Sequence, residues 1–360
     1  MAYSVLNSPL VKLVHRLVEL PLSPLLSGPL LFAITYAPDA VRHVLESAVA
    51  RLPFKTPDLS VELFQSAKVA LRVLLALGLV RWINRGLNSM ASNGWRIAPR
   101  GHWNWSSEIA VVTGGSSGIG KDIVKKLSAM GIRVAIFDIQ GPKDKELLLN
   151  PLIRYYACDI TDTKSIATAA DAVRTDFGHP TILINNAGIT QPTPILTIPE
   201  SFLRKIIGVN LMANWFTAQE FLPRMIQLDK GHIITVASIA SFVALPAAAD
   251  YSATKSGALV FHEALTTEIK YHYKSPGILT TVVHPSYVRT PLLDEHSQRL
   301  EDVGVKLLGS EYVAEQIVSR IRGRRGGQLI IGAPGYLAGM RGWPTWVQEA
   351  IRDSLGKVHS

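Results

Sequence analysis

From residue 108 onward, short apolar runs rich in β-branched residues alternate with stretches in which apolar residues recur at helical spacing. Short apolar runs bounded by turn-forming residues are typical of buried parallel strands. The pattern therefore predicts an α/β core. The predicted strands are 108–113, 133–137, 155–158, 181–184, 231–237, 278–284 and 328–331.

Residues 1–107 lack this alternation and carry two apolar stretches instead, 21–37 and 69–83. Two prolines interrupt the first and two arginines lie in the second, so neither supplies the ~20 uninterrupted apolar residues of a spanning helix. The pattern favours a hairpin or interfacial helix that inserts into one face of a membrane. A single span is the second interpretation, and a soluble helical extension is the third. No signal peptide is expected, because the apolar stretches lie too far from the start.

Composition supports membrane contact. Apolar residues make up 48% of the 360 residues, and the mean hydropathy is +0.20. The net charge is +9, and residues 1–100 hold eleven Lys and Arg against five Asp and Glu. An anionic membrane surface fits this surplus better than nucleic acid, because the cations are scattered and no recognition module is visible. The single cysteine, Cys158, excludes an internal disulfide framework and indicates a reducing compartment.

A glycine-rich turn follows the first predicted strand and precedes a helical pattern. Glycines there allow a phosphate to approach the backbone at a helix amino terminus. The strand–turn–helix context indicates a dinucleotide site. A magnesium-dependent NTPase loop is excluded, because Lys121 is followed by Asp122 and not by Ser or Thr. The turn residues expected to bind the cofactor are Gly114, Ser116, Ser117, Gly118, Ile119 and Gly120.

Asp138 ends the second predicted strand, at the expected distance for an acid that binds the adenosine ribose hydroxyls. Its carboxylate would accept hydrogen bonds from the diol of NAD and repel the extra phosphate of NADP. NAD is therefore the expected cofactor and NADP the less favoured one; a plain turn residue is the alternative. Further expected contacts are Asp159 and Ile160 near the adenine, and Asn186, Ala187 and Gly188 after the fourth strand.

Tyr251 and Lys255 are four residues apart, a spacing that places both side chains on one face of a helix. A neighbouring ammonium favours the phenolate and lowers the pKa of a tyrosine toward neutrality. Ser238, just past the fifth strand, would hydrogen-bond a substrate oxygen in the same pocket, and Ser241 is the weaker candidate for this role. Such a group suits the interconversion of an alcohol and a carbonyl.

These motifs resemble the short-chain dehydrogenase/reductase family from about 109 to 333. The resemblance implies a Rossmann-type, doubly wound parallel sheet of seven strands. It also implies a catalytic tetrad of Asn210, Ser238, Tyr251 and Lys255, in which Asn210 holds a water of a proton relay and Lys255 binds nicotinamide ribose.

The resemblance extends to the segment after the sixth strand. It implies cofactor contacts from Pro285, Val288 and Thr290, with Thr290 at the nicotinamide carboxamide. The chain departs from the family at Ser286, where glycine is usual. The apolar amino-terminal region is similar to the membrane-associated branch that acts on retinoids, steroids and fatty alcohols, and most similar to its fungal members.

The sequence thus predicts three regions: a membrane-associating extension (1–107), a catalytic domain (108–333) and an amphipathic carboxyl-terminal segment (334–360). Substrate walls are expected at 239–245 and 287–308, and both are mainly apolar. We expect an NAD-dependent oxidoreductase of a lipophilic alcohol/carbonyl pair, on the cytosolic face of the endoplasmic reticulum or on a lipid droplet. No metal is expected, and a second copy of the chain is a candidate partner. An NADP-dependent reductase and a catalytically silent cofactor-binding protein are the alternatives.

Overall fold

A computed structural model of the protein describes residues 20–49, 61–95, 103–302 and 304–359. The described residues form two compact units, which divide between Ala91 and Ser92. The unit before this division is helical, and the unit after it contains the sheet.

The first unit consists of helices α1 (Pro24–Tyr36), α2 (Pro38–Val49) and α3 (Val61–Ser92). Residues such as Leu77 and Trp82 of α3 are exposed. Over Val61–Ala91, α3 is long and apolar enough to cross a membrane, by length and composition alone. The helix is longer than the predicted apolar stretch 69–83, because the more polar residues on both sides of that stretch are also helical.

The second unit holds a seven-stranded parallel sheet with the strand order β3-β2-β1-β4-β5-β6-β9. This is the doubly wound arrangement that the resemblance implied. The strands of this sheet are β1 (Ile109–Thr113), β2 (Arg133–Asp138), β3 (Ile153–Ala157), β4 (Ile182–Asn185), β5 (Gly231–Val236), β6 (Ile278–Pro285) and β9 (Gly327–Ile331). Two residue pairs, β7 (Val288–Arg289) and β8 (Leu308–Gly309), form a separate small sheet. They were not predicted, because two residues show no periodicity.

Helices join the strands and cover both faces of the sheet. They are α4 (Gly118–Ala129), α5 (Lys145–Leu149), α6 (Thr163–Asp176), α7 (Glu200–Ile207), α8 (Ala213–Leu228), α9 (Ala249–Tyr271), α10 (Asp294–Asp302), α11 (Ser310–Arg322) and α12 (Thr345–His359). On one face, Ile123 of α4 and Ile317 of α11 belong to the same buried cluster. On the other face, Val173, Phe221 and Leu265 pack together.

The strand order reverses between β1 and β4, because β1, β2 and β3 extend the sheet in one direction and β4, β5, β6 and β9 extend it in the other. In open α/β sheets, ligands bind at the carboxyl ends of the strands beside such a reversal. The turn after β1 and the segment after β4 are therefore the places to search for a binding site.

Candidate active site

The turn after β1 is closely packed against the segment after β4. Gly114 has a φ of +64°, and a Cβ added there would lie 2.9 Å from the Ala187 Cα. A Cβ on Gly120 would collide with the Gly114 carbonyl oxygen. Both positions therefore exclude side chains, and the turn leaves its backbone open at the amino terminus of α4. This geometry fits the diphosphate of a dinucleotide.

Hydrogen bonds fix the same junction. The Thr113 Oγ1 accepts from the backbone nitrogens of Asn186 and Ala187, at 3.0 and 3.1 Å. The Asn186 Nδ2 donates to the carbonyl oxygens of Thr113 and Gly114, at 3.0 and 3.2 Å. The residues predicted from the asparagine–alanine–glycine motif are thus part of the structure that holds the glycine turn in place.

Asp138 lies at the end of β2, beside the glycine turn. Its Oδ2 accepts from the Ser116 backbone nitrogen at 3.1 Å, and its Oδ1 accepts from the Gln140 backbone nitrogen at 3.2 Å. The Ser116 hydroxyl donates to the Gln140 carbonyl oxygen at 2.7 Å. The carboxylate is therefore held in one orientation at the edge of the sheet, where a ribose diol could share its lone pairs.

Asp159 and Ile160 follow the end of β3. The Asp159 Oδ1 accepts from the backbone nitrogen and the hydroxyl of Thr161, at 2.9 and 2.7 Å. Ile160 is buried and belongs to the core cluster on one face of the sheet. Asp159 is exposed and Ile160 is packed inward, so their predicted contact with adenine stays a prediction.

A cavity of about 300 Å³ opens at this edge of the sheet, a volume at the lower end of the range for small-molecule sites. It brings together nine of the residues that the sequence predicted for catalysis or cofactor binding. These nine are Ile119, Asn186, Gly188, Ser238, Tyr251, Lys255, Pro285, Val288 and Thr290. The other predicted cofactor residues lie outside its wall, along the glycine turn and after the ends of β2, β3 and β4.

The first turns of α9 present Tyr251 and Lys255 to the cavity, and the end of β5 delivers Ser238. The Ser238 Oγ accepts from the Ala240 backbone nitrogen at 3.1 Å. Ser241 does not share this position, because its hydroxyl donates to the Lys255 carbonyl oxygen at 2.9 Å and it contributes nothing to the cavity wall. Of the two candidate serines, the geometry favours Ser238.

The electrostatics of this cluster differ from the sequence expectation. Burial raises the pKa of the Tyr251 phenol, while a hydrogen bond with the Ser238 side chain acts in the opposite direction. Burial lowers the pKa of the Lys255 ammonium to about 8. The Lys255 Nζ lies 5.7 Å from the centre of the Tyr251 ring. The protein alone therefore does not lower the pKa of Tyr251, because the burial penalty on the phenolate is the largest contribution.

Asn210 is buried on a single π-helical turn, Gly208–Met212, between α7 and α8. Its Oδ1 accepts from the Ile189 backbone nitrogen at 2.8 Å, and its Nδ2 donates to the Ile189 carbonyl oxygen at 2.9 Å. A second contact of the Nδ2 reaches the Thr254 hydroxyl at 3.2 Å. π-Helical turns are frequent at functional sites. Here the turn links Asn210 to the loop after β4 and to the helix of Tyr251.

The segment after β6 closes the cavity from the other side. A Cβ added to Gly118 would lie 3.2 Å from a methyl group of Thr290, so this threonine packs against the glycine turn. The Ser286 backbone nitrogen donates to the Ile331 carbonyl oxygen at 2.9 Å. Its φ lies outside the left-handed region, which explains why serine replaces the usual glycine without strain.

Parts of both predicted substrate walls line the cavity. Ile239, Leu245 and Tyr287 line the cavity, but Phe242 and Val243 belong to a separate buried cluster. Sequence reasoning missed several lining residues, since loops carry no periodic signal. They are Thr190, Pro192, Pro246, Ala247 and Ala248.

This edge of a doubly wound sheet, with its glycine turn and its serine–tyrosine–lysine cluster, defines the class of Rossmann-fold oxidoreductases. The family model described as short chain dehydrogenase matches residues 108–301. The chain belongs to this family, as the motifs predicted.

Relatives of known name support the assignment. The chain is 42% identical over 181 residues to dehydrogenase RED2 of Cochliobolus heterostrophus, a match that covers 50% of this chain and 68% of that protein. It is 29% identical over 231 residues to human epidermal retinol dehydrogenase 2, covering 62% of this chain and 74% of that one. It is 30% identical over 233 residues to the bovine short-chain dehydrogenase/reductase family 16C member 6, covering 63% and 73%.

Solved structures share the fold. One is 4-hydroxyisoleucine dehydrogenase complexed with NADH, with a TM-score of 0.57 at 22% identity, covering 63% of this chain and 97% of that one. Another is the 3-ketoacyl-(acyl-carrier-protein) reductase of Brucella melitensis complexed with NADH, with a TM-score of 0.57 at 23% identity, covering 63% and 98%.

Proposed function

We propose that the protein is a membrane-associated, NAD-dependent oxidoreductase. It interconverts a lipophilic primary or secondary alcohol with its aldehyde or ketone, of the retinoid, steroid or fatty alcohol class. The observation that carries this proposal is the cavity in which Ser238, Tyr251 and Lys255 meet walls that are mainly apolar.

In this mechanism the Ser238 hydroxyl and the Tyr251 phenol both hydrogen-bond the reacting oxygen. Tyr251 gives or takes the proton as a general acid or base. With a pKa of about 8, the Lys255 side chain remains largely protonated at neutral pH, and its charge stabilises the phenolate. Asn210 holds the loop after β4 and the helix of Tyr251 at a fixed distance. A nicotinamide cofactor, when bound, supplies the hydride donor or acceptor.

Two features of the chain and two structural neighbours support a nicotinamide cofactor, and Asp138 favours NAD. The glycine turn leaves room for a diphosphate, and the Asp138 carboxylate is oriented by two backbone nitrogens beside that turn. An acid at this position favours a free ribose diol over a phosphate. Two structural neighbours of the same fold were solved with NADH.

Membrane association is supported by α3, whose exposed apolar residues lack a protein cover within the described chain. Relatives named retinol dehydrogenases point in the same direction. We propose that the catalytic unit works at a membrane or lipid-droplet surface facing the cytosol, where lipophilic substrates are concentrated.

The decisive experiment measures turnover by the purified full chain in detergent. Retinol, a steroid alcohol and a long-chain alcohol are each tested with NAD and with NADP. Oxidation of at least one of them, with a higher kcat/KM for NAD, is the expected result. Equal or better efficiency with NADP would overturn the cofactor assignment, and a complete lack of turnover with both cofactors would overturn the enzymatic proposal for this class.

A further inference from the structure

Charge in the cavity wall is all of one sign. Among the residues that line it, the charged ones are Lys255 and Arg299. Lys255 is buried and donates to the Val236 carbonyl oxygen at 2.9 Å. Arg299 lies on α10 and is exposed, so this residue lies where the cavity wall meets solvent, at the mouth of the cavity.

The carboxylates nearest to Arg299 along the chain are engaged elsewhere. Glu301 pairs with Arg289, and Asp302 accepts from the Gln298 Nε2 at 3.0 Å. Within the described residues, the Arg299 guanidinium has no ion pair or hydrogen bond. A cation without a counter-ion at the mouth of a cavity is a candidate for binding an anionic part of a ligand.

The surroundings of Arg299 restrict what that ligand can be. Leu292, Leu293 and Leu300, which are near Arg299 in the chain, also line the cavity. An apolar body that ends in one anionic group matches this arrangement. The planar guanidinium has two parallel donors that fit a carboxylate or a phosphate. Phosphate sites usually gather several backbone or cationic donors, and the other cation that lines this cavity is the buried Lys255. A single carboxylate is therefore the better match.

We propose that the substrate carries a carboxylate at the end remote from its reacting carbon, and that Arg299 binds this carboxylate. The inference rests on the proposed function, because it assumes that the reacting oxygen lies at Ser238 and Tyr251. The substrate class narrows accordingly from lipophilic alcohols in general to hydroxy or oxo acids with an apolar chain.

The first test compares an ω-hydroxy fatty acid with its methyl ester, which has the same chain but no charge. The wild-type protein should show a higher kcat/KM for the acid. Arg299→Gln should lower the acid-to-ester ratio about tenfold, the loss expected for one hydrogen bond to a charged group. Arg299→Lys should retain part of the ratio, because it keeps the charge but not the planar fork.

The matched control is Lys306→Gln, which removes an exposed cation near α10 that does not line the cavity. It should leave the acid-to-ester ratio unchanged. An unchanged ratio in Arg299→Gln would overturn the proposal. So would a higher KM for NAD with an unchanged ratio, since Arg299 would then serve the cofactor.

A second test needs no turnover. A fatty acid without a hydroxyl should raise the melting temperature of the wild-type protein more than its methyl ester does, and Arg299→Gln should abolish the difference. If the wild-type protein oxidises neither hydroxy compound, the proposed function fails for these substrates, and this binding test still decides the role of Arg299. Equal stabilisation by acid and ester in the wild-type protein would overturn the inference.

Discussion

The Nζ of Lys255 donates a 2.9 Å hydrogen bond to the main-chain carbonyl oxygen of Val236. Val236 is the last residue of β5, two residues before Ser238, and Lys255 is one turn after Tyr251 on α9. This single bond therefore joins the strand that delivers the serine to the helix that delivers the tyrosine. The relative position of the two hydroxyls depends on a buried amine.

Tyr251→Phe removes the phenol that we assign to proton transfer. We expect kcat to fall by roughly 10²–10⁴-fold, the range typical of general acid–base catalysis. Binding of NADH, followed by its fluorescence, should be retained. Tyr271→Phe is the matched control, because this tyrosine lies on the same helix and is exposed. Near-normal turnover by Tyr251→Phe would reject the mechanism.

The lowered pKa of Lys255, about 8 against 10.5 for a free lysine, makes stability depend on pH. Below about pH 8, Lys255 is protonated in both the folded and the unfolded state. Between about pH 8 and 10.5, Lys255 is protonated in the unfolded state but not in the folded state. The free energy of unfolding therefore rises with pH over this interval. Relative to Lys255→Met, the wild-type protein should gain up to about 3 kcal/mol as the pH rises across this interval. Urea unfolding of both proteins measures the difference, and a constant difference would contradict the prediction.

Asp138→Asn keeps an oxygen acceptor for one backbone nitrogen but removes the negative charge. The kcat/KM for NAD should fall about tenfold, since hydrogen bonds to a charged acceptor weaken. The kcat/KM for NADP should rise, because its phosphate no longer meets a carboxylate. Asp171→Asn, on an exposed part of α6, controls for the change in net charge. An unaltered ratio of the kcat/KM for NAD to that for NADP would show that Asp138 only stabilises the turn and does not select the cofactor.

Because three histidines are buried, we predict that the free energy of unfolding falls in acid. Burial lowers the pKa of His232 and His262 to about 3 and that of His284 to about 4. As the pH falls below 6.5, the pKa of a histidine in the unfolded chain, the histidines become protonated in the unfolded state but stay neutral in the folded state. Each histidine then costs up to about 1.4 kcal/mol per pH unit.

The variant His262→Asn tests this prediction, because an amide can replace the 3.0 Å contact with the Thr235 hydroxyl. The stability of the wild-type protein relative to this variant should fall on acidification below about pH 6.5. His272→Asn, at an exposed position of the same region, should show no such trend. Parallel acid profiles of the wild-type protein and His262→Asn would contradict the assignment of a neutral buried imidazole.

Val80 of α3 is 65% exposed. Introducing a charge into an apolar membrane segment is costly, so Val80→Asp should shift the full chain from the membrane fraction toward the carbonate-extractable fraction. Val260→Asp places the same charge at a similarly exposed valine, 62%, on α9. It should leave the partitioning unchanged. Retention of Val80→Asp in the carbonate-resistant fraction would argue against α3 as the anchor.

The strands and the glycine turn could be predicted because each depends on local sequence. The run 109–113 is fully buried as predicted, and Tyr251 and Lys255 lie on one helix. Local patterns were less informative where tertiary packing determines the backbone conformation. The π-helical turn at Asn210 and the tolerance of serine at Ser286 follow from contacts with distant segments.

Arg299 illustrates the same limit at the site. In the sequence it is one arginine in a polar helix, and its neighbours gave no reason to select it. It falls within the predicted wall 287–308, but only the fold shows that this residue itself lines the cavity and that Glu301 pairs with Arg289. The direction of the pKa shift of Tyr251 could not be predicted from the sequence either. The spacing reveals a neighbouring ammonium, which favours a lower pKa, but it does not reveal the burial that raises the pKa.

The contact between Gly120 and the Gly114 carbonyl oxygen also bears on how this enzyme can evolve. Any replacement of Gly120 adds a Cβ, so point mutations at that codon are expected to be purged. Arg299 on α10 is exposed and has no such restriction. New substrate preferences should therefore arise by substitutions around Arg299, while the glycine turn stays unchanged across descendants.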